Sequence, residues 1–83
     1  MLRVKIEIRL KKGVVDPEGK NIAKALHLLH FKEVEEVKVS KLIEIFLNEE
    51  NEERAKERAE EMCKKLLANP IINEYRISVE HDK

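Results

Sequence analysis

Cysteine is almost missing from this sequence. Cys63 is the single one in 83 residues, so no internal disulfide framework can staple the chain, and that usage fits a reducing, cytoplasmic setting. Aromatics are nearly as sparse: Phe31, Phe46 and Tyr75, with no tryptophan. That set is too thin for a base-stacking platform, which argues against an RNA-binding sheet. Neither sign of charge is in excess, with 17 Lys and Arg against 17 Asp and Glu. Without net positive charge, counterion release gives no drive toward nucleic acid. No apolar run approaches the roughly 18 residues of a membrane span. The first residues alternate charged and apolar types, unlike a signal peptide. What is present is 42% hydrophobic and 41% charged, too apolar and too balanced for disorder. These sums describe a single domain over residues 1–83. A core of that size is marginal without a disulfide, a metal or a partner chain. Burial against another chain is therefore the first expectation.

The apolar periodicity gives an element order. Val4, Ile6, Ile8 and Leu10 alternate with Arg3, Lys5, Glu7 and Arg9, which predicts a strand with one wet face. Asp16-Pro17-Glu18 has the cap, the proline and the acid of a helix start. Ile22, Leu26 and Leu29 follow at helical spacing, and the helix is expected to end near Leu29. Val37 and Val39, then Ile43, Ile45 and Leu47, form two alternations joined by Ser40-Lys41, which reads as a hairpin. Leu42 and Phe46 project from the opposite face of the second of these strands, and that face is expected to be covered. Residues 51–68 read as one helix whose buried stripe is Ala55, Ala59, Met62, Cys63, Leu66 and Leu67. Pro70 stops it. Tyr75, Ile77 and Val79 make a last strand, with His81 in a frayed tail. The order β-α-β-β-α-β predicts an α+β, ferredoxin-like domain: a four-stranded antiparallel sheet with both helices on one face.

Chemistry-bearing groups are few. His27 and His30 are three apart, but a metal site needs further ligands, for which Glu33 and Cys63 are the candidates; a polar flank and a helix terminus describe the two histidines better. Cys63 falls on the apolar stripe and reads as a small buried hydrophobe. The run from Lys12 to Lys20 holds Gly13 and Gly19 and could cradle an anion, yet it lacks phosphate-loop spacing, and Asp16 and Glu18 repel phosphate. No Ser/His/Asp set can be assembled, so no catalytic, cofactor or metal residue is assigned. The charge is unevenly placed. Residues 1–12 carry five cations and one carboxylate, whereas residues 48–61 carry seven glutamates and three cations. Unlike faces of this kind suit the orientation of protein partners.

Three runs resemble a known family. Lys11-Lys12-Gly13-Val14-Val15-Asp16-Pro17-Glu18-Gly19-Lys20 is similar to the opening of PurS, the small subunit of phosphoribosylformylglycinamidine (FGAM) synthase. Val37-Lys38-Val39-Ser40-Lys41-Leu42-Ile43-Glu44 resembles its hairpin, and Met62-Cys63-Lys64-Lys65-Leu66-Leu67-Ala68-Asn69-Pro70-Ile71-Ile72 its second-helix ending. The three lie in register along the whole chain. Ser40 and His30 stand where the family usually has glycine. Histidine is one of the few side chains enriched at positive φ, so His30 is expected in a left-handed conformation at the helix end.

The resemblance implies a non-catalytic subunit of a purine-biosynthetic complex, located in the cytoplasm. It implies a homodimer or tetramer that bridges a glutaminase subunit and a synthetase subunit and assists ammonia transfer; ATP and Mg would belong to the synthetase. The contact residues expected on this reading are Val14 and Val15 before the first helix, Leu42 and Phe46 on the sheet, and Asn69, Pro70 and Ile71 in the turn before the last strand. The alternative is a small-molecule regulatory module of ACT-like type, which shares the element order. An acylphosphatase-like enzyme lacks its constellation here, because Arg3 and Arg9 lie in a strand and Asn21 in a helix.

Overall fold

The computed structural model describes residues 1–81. Strand β1, Leu2–Leu10, is central. It pairs antiparallel with β2, Lys41–Leu47, on one side and with β3, Asn73–His81, on the other, giving the order β2-β1-β3. The register sets Val4 opposite both Ile45 and Val79, and Ile6 opposite both Ile43 and Ile77. Because side chains alternate across a strand, those residues share one face, while Arg3, Lys5, Phe46 and Glu80 share the other.

Helix α2, Glu52–Met62, lies over β1 and β3. Ala55, Ala59 and Cys63 recur at i, i+4 and i+8 and are completely buried against Leu2, Val4 and Ile6. Their small side chains let the helix axis sit close to the sheet. Asn51 caps the helix by accepting from the Arg54 amide at 3.0 Å. From Cys63 to Leu67 the winding widens to a π-turn, closed by Ala68 N–H donating to Cys63 O at 3.0 Å. The extra residue per turn rotates Leu66 off the sheet, leaving it 82% exposed. The expectation that Leu66 belongs to the buried stripe is therefore corrected.

The four-stranded sheet is corrected as well. Among the described residues the sheet has three strands. Residues 34–39 form no strand in the sheet, so Ser40-Lys41 is not a hairpin turn. The backbone there is committed elsewhere: Val39 N–H donates to Asp16 Oδ2 at 2.9 Å, and Val34 O accepts from His27 Nε2 at 2.7 Å. Helix α1, Pro17–Leu28, is not on the sheet either. It pairs with residues 34–39 to form an arm that leaves the domain, so the two helices do not share one covered face. The described chain spans 49 × 31 × 14 Å with a Cα radius of gyration of 16.3 Å, against about 12 Å for a compact chain of this length. Finally, His81 ends β3, faces Leu2 across the ladder and holds Glu52 at 2.8 Å, so it is not a frayed tail. No helix is long and apolar enough to cross a membrane among the described residues.

Candidate functional site

The arm is built by two capping devices and one close approach. Asp16 Oδ1 accepts from Gly19 N–H at 2.9 Å, the N-cap bond of α1, while Oδ2 holds Val39. Those donors, Val39 first and then Gly19, pull the Asp16 carboxyl below its ordinary value of 3.8. Both oxygens are thus occupied at the start of α1, and an external anion there would meet a carboxylate already in place. Gly19 is buried because a Cβ on it would lie 2.2 Å from Val37 O. At the far end, His30 has φ 75°. His30 N–H donates to His27 O and Phe31 N–H to Leu26 O, each at 3.0 Å, which is the paired bond pattern of a Schellman ending. The left-handed conformation expected for His30 is found.

The residues expected to make subunit contacts separate into two surfaces. Lys11 donates from Nζ to Pro70 O at 2.7 Å and from its amide to Ile72 O at 2.8 Å. That zips the end of β1 to the turn before β3. Val14 and Val15 follow a turn in which Val14 N–H reaches Lys11 O, with Gly13 at φ 90° in the third position. Asn69 fixes the facing turn, its side chain accepting from Ile71 N–H at 3.0 Å. Val14 is half-buried, whereas Val15 and Ile71 are exposed. A cavity of about 520 Å³ opens beside Val14 and Val15, between the α1 start and residues 35–39. Its rim includes Lys12, Lys20 and Lys38.

Leu42 and Phe46 form the second surface, on the outer face of the sheet and away from α2. They are 60% and 53% exposed. Phe46 sits opposite Arg3, and Leu42 opposite Glu7. Around them runs a ladder of cross-strand ion pairs: Arg3 to Glu80 at 2.6 Å, Arg3 to Glu44 at 3.5 Å, Lys5 to Glu80 at 3.2 Å and Arg9 to Glu74 at 2.8 Å. Arg3 and then Lys5 hold the Glu80 carboxyl below its ordinary value. Exposed pairs of this kind add little stability individually; they do set two exposed apolar side chains beside a patterned polar field, which suits a specific docking face.

Tyr75 and Cys63 have structural roles. Tyr75 donates its hydroxyl to Glu60 Oε2 at 2.7 Å, and this bond pushes the phenol up to about 12. Burial raises the Cys63 thiol, with Glu60 adding to the effect, so it is not poised as a nucleophile. Sequence periodicity missed the exposure of the arm. Leu28, Leu29 and Phe31 are 74%, 65% and 49% exposed. The unusual signal was available: Ile22, Leu26, Leu29 and Phe31 are more apolar than one short surface helix requires.

Comparison with known proteins bears on the family of the chain. Residues 3–81 match the family model described as PurS, phosphoribosylformylglycinamidine (FGAM) synthase. The phosphoribosylformylglycinamidine synthase subunit PurS of Methanocaldococcus jannaschii is 54% identical over 80 residues, covering 96% of each chain. The subunit of the same name from Bacillus subtilis is 39% identical over 80 residues, covering 96% of this chain and 94% of that one. The crystal structure of the M. jannaschii protein, one of the subunits of formylglycinamide ribonucleotide amidotransferase in the purine biosynthetic pathway, superposes with a TM-score of 0.91, at 53% identity over 100% of both chains. A chain in the structure of PurLQS from Thermotoga maritima superposes with a TM-score of 0.85, at 28% identity over 95% of this chain and 96% of that one.

Proposed function

The chain belongs to the PurS family, and on that premise we propose that it is the bridging, non-catalytic subunit of FGAM synthase, working as a homodimer or tetramer in the cytoplasm. It is a subunit of that synthase in purine biosynthesis. The observation that carries the bridging reading is the near full-length likeness to a chain of the PurLQS structure. A chain of this size contributes by position. It holds the PurQ-type and PurL-type subunits so that ammonia released at one active site meets the acceptor at the other before bulk water captures it as ammonium, a gain in effective concentration that needs no group on this chain to react. ATP and Mg are used by the PurL-type partner.

The two surfaces divide the work. The outer sheet face, with Leu42 and Phe46, docks one neighbour. The end formed by Val14, Val15, Asn69, Pro70 and Ile71 docks another. Anchors of this kind carry most of an interface's energy when a partner excludes water from them. The reaction is to be reconstituted with and without the chain, giving glutamine or ammonium as nitrogen donor. Omission is expected to abolish glutamine-supported synthesis while high ammonium still drives the PurL-type partner. Equal glutamine-dependent rates in its absence would reject the bridging reading and favour a small-molecule module.

A further inference from the structure

The sheet forks at one end. Strand β2 leaves β1 after the Ile8–Lys41 pair, while β1 runs on beside β3 to the Leu10–Asn73 pair. Residues 34–39, on the β2 side of the fork, contain no helix, turn or bend. Their ends are held by His27 and Asp16, which lie at opposite ends of α1 and about 16 Å apart at the helical rise. The steps from Val34 to Val39 span that distance only when the backbone is nearly fully extended. Hydrogen-bonding groups point alternately to either side of an extended chain. Val37 O and Val39 N–H face α1, so the groups of Glu36 and Lys38 turn away from it. Among the described residues, neither of their amides makes a hydrogen bond. Two cavities of about 520 and 440 Å³ lie in the fork. Leu10 and Val39 line both, and Val14 and Val37 extend the apolar wall of the larger.

We infer that the fork is a docking groove for an extended segment of a partner protein, which adds as a strand along the Glu36–Lys38 edge and carries carboxylates among small apolar side chains. The open edge selects main chain, because an extended peptide pairs with free N–H and C=O groups in a row. The wall of Leu10, Val14, Val37 and Val39 selects the apolar side chains. The rim selects the carboxylates. Lys12, Lys20 and Lys38 make no ion pair among the described residues. The opposing carboxylates are Glu35, Glu36 and Asp16, and Asp16 is already held by Gly19 and Val39. The incoming acids therefore meet the lysine rim and not the start of α1. A second copy of this chain fits less well, because its own residues 35–39 bring Lys38 to a rim already rich in lysine. This inference goes beyond the bridging reading and does not rest on it: it holds for any partner that carries such a strand.

The probe is a fluorescein-labelled hexapeptide, Glu-Val-Asp-Val-Glu-Val, titrated with the full chain and read by fluorescence anisotropy. Saturable binding is expected. A peptide with lysine in place of each acid tests the charge, and the acidic peptide N-methylated at every amide tests the main-chain pairing. Each is expected to bind at least about tenfold more weakly. Lys20→Glu and Lys38→Glu change exposed positions, and circular dichroism checks that both variants are folded. Each is expected to weaken the acidic peptide about tenfold, the loss of one charge-assisted contact. Phe46→Glu, on the outer face of the sheet, is expected to leave peptide binding unchanged. Amide exchange at Glu36 and Lys38 is expected to be fast in the chain alone and slowed by the peptide. Three peptides that bind equally, or no binding of the acidic one at about millimolar chain, would overturn the proposal. So would Glu36 and Lys38 amides whose protection in the chain alone rises with its concentration, since a second copy would then occupy the groove.

Discussion

His30 holds a backbone conformation that costs most L-residues about 1–2 kcal/mol, and it does so to let α1 end in two hydrogen bonds at once. His30→Gly is expected to raise stability by under about 1 kcal/mol, since relief of the left-handed strain outweighs the entropy of the extra glycine; thermal unfolding checks this, and a lower midpoint would contradict it. Tyr75 gives a second test at this scale. Its folded-state pKa of about 12 lies above the ordinary 10, so the Glu60 bond stabilises the fold fully below the ordinary value and loses that effect as pH rises through about 12. With no other tyrosine and no tryptophan in the chain, tyrosinate absorbance follows this group alone. Glu60→Gln is expected to bring its midpoint down toward the ordinary value.

At the scale of the element, the arm depends on Asp16 and Gly19. A methyl group on Gly19 would fall 2.2 Å from Val37 O, so Gly19→Ala is expected to cost about 1–3 kcal/mol and to speed amide exchange at Val39 more than in the sheet. Asp16 has a depressed folded-state pKa. Its contribution is therefore complete above the ordinary carboxylate value and is lost as pH falls through the folded one. Protection of the Val39 amide is expected to fall on acidification below about pH 4, and Asp16→Asn should weaken it already at neutral pH. Hydrogen exchange across that range reads both effects. The same elements show how far the sequence was legible. β1 and the capped start of α1 were readable because alternation and cap chemistry are local. Val37 and Val39 were misread because alternation marks an extended backbone but not its hydrogen-bond partner, and here Asp16 takes Val39. The stripe of α1 was misread for a related reason: amphipathicity marks an apolar helix face, not the surface that it meets, and here Ile22 and Leu29 stay exposed. Leu66 was misplaced because 3.6-residue periodicity cannot anticipate a π-turn.

For the molecule as a whole, 49 Å of length over the described residues 1–81 describes an extended chain with much apolar surface left open. A small core under α2 keeps the sheet together, and the surfaces left over are an outer face with Leu42 and Phe46, an end with Val15 and Ile71, and an arm. The resemblance of the three sequence runs led to the right family, whereas the separation of the contact residues into two surfaces needed the register of β2 and the Lys11–Pro70 zipper. On the bridging reading this chain joins a PurL-type and a PurQ-type subunit. That reading is tested most directly by sedimenting a PurL-type and a PurQ-type subunit together, with and without the chain. The account predicts one particle containing all three when the chain is present, separate PurL-type and PurQ-type particles when it is absent, and loss of the joint particle with Phe46→Glu. A PurL–PurQ particle that forms equally well without this chain would contradict it.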